Sequence, residues 1–221
     1  MKKGRKRGYC SAAMLMILFA LWTLLVQMVD VKPIGPRGSL VGFASLNGAV
    51  HSVTGVNISL YVLTDWLGLV PIAVSLFYAV LGLGQWICRR SLRKVDRSIL
   101  LLGGFYVAVF AAYAAFEYAI VNYRPVLIEG RLEASYPSST TLLILTVMPT
   151  TIIDLWGRIR HRAFRYSIVF LIGAFAVFMV MARLLSGVHW CTDIVGGALL
   201  SASLVCAYTV ALGPVLPADG E

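Results

Sequence analysis

Three short stretches of this sequence gather side chains suited to handling phosphate: Tyr123-Arg124-Pro125, Tyr136-Pro137-Ser138-Ser139-Thr140, and the run from Arg183 through His189 to Asp193. His189 and Asp193 are four residues apart and share a face if a helix has begun there. A carboxylate that accepts one ring N–H fixes the imidazole tautomer and leaves the other nitrogen free to attack, as in any activated nucleophile with an orienting partner. Arg124 and Arg183 supply planar, forked donors that match phosphate oxygens better than a lysine ammonium does. Ser138 and Ser139 stand at an expected helix start, where free backbone N–H groups add an anion site. Together these residues form a phosphoryl-transfer constellation that calls on no metal and no cofactor. The four cysteines, Cys10, Cys88, Cys191 and Cys206, have no metal-binding spacing and read as small apolar packing residues.

Each part alone has a plain structural explanation. An isolated arginine near a membrane surface snorkels. Pro-Ser-Ser opens a helix, the proline setting φ and a hydroxyl capping free N–H groups. Asp193 suits the positive end of a helix macrodipole, and His189 alone suits a hydrogen-bonded interfacial position. What favours chemistry is that all three stretches fall at the same side of the elements that carry them.

Those elements are read from composition. The chain has 221 residues, 59% of them hydrophobic and only 13% charged, and a mean hydropathy of +0.84, which makes lipid a better solvent for it than water. Six apolar segments of roughly bilayer length lie at 9–29, 66–87, 99–121, 140–156, 166–185 and 194–216, the fourth being the shortest. The expectation is an all-α, polytopic bundle of six transmembrane helices forming a single domain over 1–221. Gly103-Gly104 and Gly196-Gly197-Ala198 are expected where helices approach closely. Basic residues collect on one side, at Lys2 to Arg7, Arg89 to Arg97 and Arg158 to Arg165, while the other side holds only Lys32, Arg37, Arg124, Arg131 and Arg183. Retention of Lys and Arg on the cytoplasmic side then puts both termini inside, with residues 1–8 as a basic cytoplasmic start. Residues 30–65, 122–139 and 186–193 fall outside, the first an extracytoplasmic loop with a mildly amphipathic stretch suited to the membrane surface. The net charge of +9 follows from this topology and from attraction to anionic headgroups, with no need of nucleic acid as partner.

With these residues in place, the sequence resembles the type-2 phosphatidic acid phosphatase family (lipid phosphatases within the acid phosphatase and haloperoxidase superfamily), marked by Lys-x-x-x-x-x-x-Arg-Pro, Pro-Ser-Gly-His and Ser-Arg-x-x-x-x-x-His-x-x-x-Asp. The third motif matches from Arg183 to Asp193 with Ala182 in place of its serine, the first matches at Arg124-Pro125, and the second at Pro137-Ser138. The resemblance implies that His189 is the nucleophile, that Asp193 orients it, and that Arg124, Ser138, Ser139 and Arg183 bind the phosphate. It further implies a bacterial integral-membrane enzyme with an extracytoplasmic active site, acting on a membrane phospholipid or polyprenyl phosphate.

Two positions depart from the pattern. The family lysine falls on Glu117 and the family Gly-His pair on Ser139-Thr140. Threonine does not serve as an acid near neutral pH, so the leading expectation is hydrolysis of a phosphate or pyrophosphate lipid through a phosphohistidine, diphosphate polyprenyl lipids being favoured because their leaving group needs no proton. Glu117 either substitutes as the acid or pairs with Arg124. The alternatives are phosphotransfer to an alcohol acceptor and a phospholipid-binding or translocating protein that has lost turnover. Of the remaining histidines, His51 sits in the 30–65 segment within conceivable reach of the site and reads chiefly as solvated, while His161 is on the cytoplasmic side. Trp190 reads as an interface anchor.

Overall fold

A computed structural model describes residues 2–213; the expected end of the last apolar segment at 216 lies outside the described residues. Eight α-helices follow in order: α1 Lys2–Met28, α2 Ala44–Thr54, α3 Ile58–Leu67, α4 Leu69–Arg89, α5 Arg97–Tyr118, α6 Ser139–Trp156, α7 Arg162–Leu185 and α8 Cys191–Leu212. Among the described residues six helices are long and apolar enough to cross a membrane, α3 and α4 counting as one continuous helix, Ile58–Arg89. The second span therefore starts well before its apolar maximum. Gly68 carries the helix across the junction, its N–H bonding to the Thr64 carbonyl, and Pro71 just beyond it lacks the N–H that would continue the ladder, which marks the boundary between α3 and α4.

The fourth segment is central. Of its span 61% is buried, against 17% for α1 and 22% for α5 and α7, because α6 packs against α4, α5, α7 and α8 at once. Central placement explains its low hydropathy of 1.4. Protein rather than lipid surrounds it, and its threonines satisfy themselves on their own helix: the Thr146 and Thr150 hydroxyls donate to the Leu142 and Thr146 carbonyls at 2.6 and 2.7 Å. One apolar cluster, around Leu102, Ile144, Val147 and Met179, holds α5, α6 and α7 together; a second, around Phe19, Val109, Leu142 and Leu200, joins α1, α5, α6 and α8.

Glycines explain one contact and leave another open. A Cβ at Gly196 would stand 2.6 Å from the Tyr136 ring, so the absence of a side chain there lets α8 lie against the 136–141 segment. Gly103 and Gly104 meet nothing within 4 Å. They do not mediate close approach, and instead line an apolar groove between α4 and α5.

The two ends of the bundle differ. At one, the Arg97 guanidinium donates to the Ala211 carbonyl, and Asp96 meets Arg89 and Arg158 at 2.9 and 3.6 Å. This end collects the start of α1, the end of α8 and the arginine-rich turns. At the other, the 30–57 segment is seated on the protein. A Cβ at Gly42 would strike the Val26 carbonyl and one at Gly187 the Gly55 carbonyl, and the N–H of Asn57 donates to the Ser186 carbonyl at 3.0 Å. The amphipathic stretch expected near residues 43–53 is α2, and its buried Asn47 packs on the start of α8.

Candidate active site

At the end away from the arginine-rich turns, the chain between α5 and α6 forms a short hairpin. Tyr123 bridges Ala134, Ile128 bridges Arg131, and Glu129 and Gly130 turn the chain with positive φ values of 50° and 75°. The indole N–H of Trp190 donates to the Tyr123 carbonyl at 2.7 Å, and its backbone N–H donates to Asp193 Oδ2 at 2.9 Å. The residue expected as an interface anchor thus ties the start of α8 to the hairpin.

His189 is only 3% exposed. Its Nδ1 lies 3.1 Å from the Ser135 carbonyl, an acceptor that assigns the proton to Nδ1 and the lone pair to Nε2. Asp193 Oδ2 is 3.5 Å from Nδ1, too long for the principal bond. The carboxylate stands behind the ring, and the backbone of Ser135 is the nearer orienting group. Burial, and then the charges of Arg124 and Arg183, hold the His189 imidazole well below its usual range, so it is neutral.

Nε2 faces Arg124, whose Nη1 is 3.3 Å away. Arg124 is anchored to Glu133 rather than Glu117. Its backbone N–H donates to the Glu133 carbonyl at 3.0 Å, and its Nε lies 3.1 Å from Glu133 Oε2 as an ion pair off hydrogen-bond alignment. Glu117 makes no ion pair among the described residues. Arg183 is buried at 1% exposure, its Nη1 donating to Thr64 Oγ1 at 3.1 Å, its Nη2 3.6 Å from Asp65, and its guanidinium 5.0 Å over the Tyr61 ring. Both arginines leave a buried Nε without a hydrogen-bond acceptor.

A cavity of about 170 Å³ opens here, lined by His189, Arg124, Ser139, Glu117, Glu133 and Tyr113 among others. Ser138 does not face it. It is fully buried and caps α6, its Oγ accepting from the Thr141 N–H at 3.4 Å, while its own N–H donates to the Asp193 carbonyl. Thr140 is buried on the side of α6 toward Gly68 and is not among the lining residues. His51 packs its ring 5.5 Å from that of Trp190 with Nδ1 buried and unpartnered, and burial lowers its pKa. It is also absent from the cavity wall.

Four contributors have no sequence-level mark: Ser135, Glu133, Asp65 and Asn47. Asn47 fastens the start of α8, donating to Thr192 Oγ1 at 3.0 Å and to the Gly42 carbonyl at 2.7 Å and accepting from the Thr192 N–H at 3.3 Å. The one available signal was Glu129-Gly130, a turn dipeptide that places Glu133 back across from Arg124.

No family model and no curated protein matches the chain. Among solved structures, that of the first transmembrane PAP2 type phosphatidylglycerolphosphate phosphatase from Bacillus subtilis superposes with a TM-score of 0.58 at 16% identity, over 89% of this chain and 93% of that one. At that identity the likeness is one of fold. The chain is a multi-pass helical membrane protein with the fold of a transmembrane PAP2-type protein.

Proposed function

We propose that this protein is a membrane lipid phosphatase of the type-2 phosphatidic acid phosphatase kind, acting at the extracytoplasmic face of the cell membrane through a phosphohistidine on His189. The observation that carries this reading is a buried, neutral histidine opening on a cavity that Arg124 also lines, with the buried Arg183 outside the lining but near enough for its charge to act on the ring. A phosphate in that cavity meets the ring nitrogen and the forked Arg124 donor side by side. The sequence motifs and the shared fold support the same reading.

In the reaction, the Nε2 lone pair attacks phosphorus and a P–N bond forms as the bond from phosphorus to the leaving oxygen breaks. Ser135 accepts the Nδ1 proton's hydrogen bond throughout, and Asp193 stabilises the charge that grows on the ring. Water then attacks phosphorus, the P–N bond breaks, and phosphate departs with His189 regenerated. Arg124 binds the equatorial oxygens, with Ser139 at the cavity wall. Arg183, expected from the sequence to bind phosphate as well, is not among the lining residues; it meets Thr64 and Asp65 through its Nη atoms and contributes its charge from behind.

Diphosphate polyprenyl lipids are the favoured substrates. Thr140 is turned away from the cavity, so no imidazole donor replaces the family histidine, and a lipid alkoxide leaves poorly without a proton. General acid assistance is worth about 10² to 10⁴ in rate, and its absence penalises monoesters by much of that range. The test is phosphate release from a panel of polyprenyl diphosphate, polyprenyl monophosphate and phosphatidic acid by purified protein in detergent. Expected are faster turnover of the diphosphate, abolition by His189→Ala in a folded protein, and a smaller loss in Asp193→Asn. Near-normal turnover by His189→Ala would end the reading. Equal rates on diphosphate and phosphatidic acid would point to a donor in the cavity, which Glu117→Gln and Tyr113→Phe would separate.

A further inference from the structure

The hairpin strip 133–135 holds both reacting-site partners at once. The Glu133 carboxylate pairs with Arg124 Nε at 3.1 Å, its carbonyl accepts from the Arg124 N–H at 3.0 Å, and two residues on the Ser135 carbonyl fixes His189 Nδ1 at 3.1 Å. Arg124 is therefore tied to one residue at both its backbone and its side chain. The tie sets where the far end of the guanidinium lies, and that end rests 3.3 Å from His189 Nε2, the atom whose lone pair must attack. The cation thus covers the nucleophile.

We propose that Glu133 is a positioning residue: it acts as the pivot of Arg124, so that the guanidinium that rests against His189 Nε2 swings onto phosphate when substrate enters. A phosphate oxygen is a charged acceptor and a stronger one than neutral imidazole nitrogen, so Nη1 transfers to it and Nε2 is released at the moment phosphorus is in reach. Kept near Glu133 by the ion pair and the backbone bond, the guanidinium changes direction without searching the rotamers of a long side chain, and less side-chain entropy is lost. The sign of the electrostatics sets this role apart from a simple charge effect. A carboxylate on the wall of a phosphate cavity repels the ligand, so on charge alone its removal would tighten binding and help the reaction.

The test has a kinetic arm, which rests on the phosphatase reading, and a labelling arm, which does not. In Glu133→Gln, kcat falls on the order of 10-fold, within what a misplacement of up to 1 Å costs, while KM stays the same or drops. Glu133→Asp recovers part of kcat, and in an Arg124→Lys background the Glu133→Gln change has no further effect, as expected for residues acting as one unit. In the labelling arm, diethyl pyrocarbonate modifies neutral imidazole, and mass spectrometry follows its addition to His189 with exposed His161 as internal reference. Uncovering Nε2 makes His189 react several-fold faster in Glu133→Gln and in Arg124→Lys than in the unsubstituted protein. Should Glu133→Gln not fold, Glu133→Asp carries both arms with smaller shifts in the same direction. Unchanged labelling of His189 in the folded variant overturns the proposal whether or not the protein cleaves lipids. A kcat loss of equal size with and without Arg124 reduces Glu133 to a structural role.

Discussion

At the scale of single residues, the site is governed by one imidazole kept uncharged. Burial is the main cause, and the guanidinium groups of Arg124 and Arg183 add to it. On the proposed mechanism the attacking species is the unprotonated ring, so activity is expected above the pKa of His189 in the folded protein and is lost as pH falls through it. That pKa lies below the ordinary histidine value near 6.5. The acid limb of kcat/KM is therefore expected well below pH 6.5, with a flat rate through neutrality. Arg124→Gln removes one of the depressing charges, so the limb moves up toward 6.5 even as the rate drops. A pH–rate profile on both proteins checks this, and a limb that stays put in Arg124→Gln would show that Arg124 does not act on the ring. Of this constellation, His189, Arg183, Arg124 and Asp193 are legible in the sequence because their chemistry and spacing coincide. Glu133 and Ser135 are not, since one acts across a hairpin and the other through a backbone carbonyl that any residue possesses. Asp65 and Thr64 escape notice because the second span's apolar maximum begins just after them, whereas the helix that carries them starts at Ile58.

At the scale of helices, periodicity and hydropathy locate every long span, but they do not say which way a small residue points. Gly196 and Gly103 look alike in sequence, and only Gly196 meets a neighbour. Gly196→Ala drives a methyl into the Tyr136 ring and is expected to cost about 1–3 kcal/mol as overpacking. Tyr136 shares the 135–139 segment with Ser135 and Ser139, so the same change disturbs the cavity wall. Gly103→Ala faces open space and gains about 0.8–1 kcal/mol of helix propensity. The midpoint of thermal denaturation in detergent is thus expected to fall for the first and stay level or rise for the second; a matching drop in both would mean that Gly103 faces a closed contact between α4 and α5 instead of an open groove. Ser138→Ala removes a cap worth about 1 kcal/mol at a residue with no face on the cavity. Its loss is expected in stability rather than in substrate affinity.

For the molecule as a whole, charge decides orientation. The turns bearing Arg89–Arg97 and Arg158–Arg165 and the start of α1 lie at one end, and the candidate site lies at the other. With basic residues retained inside, a cysteine placed at exposed Glu129 in a protein lacking its native cysteines is expected to react with an impermeant maleimide in intact cells. Cysteines at exposed Arg93 and Arg160 are expected to react only after permeabilisation. The reverse pattern would turn the molecule over and place the cavity in the cytoplasm.

The basic end also bears on the breadth of the cavity. Asp96, directly before α5, accepts from Gln85 at 2.8 Å and Arg89 at 2.9 Å and faces Arg158, and these contacts hold its carboxyl below the ordinary aspartate range. Helix α5 is in effect a beam clamped at its foot, and its far end carries Tyr113 and Glu117 into the cavity wall. Over the 20 residues from Arg97 to Glu117 the beam is about 30 Å long at 1.5 Å per residue, and it is packed along that length through Leu102, Val109 and Phe116. The ionic clamp at the foot and this apolar seam together hold Tyr113 and Glu117 against the cavity, so the width of an opening at one surface of the membrane depends in part on ionic contacts at the other.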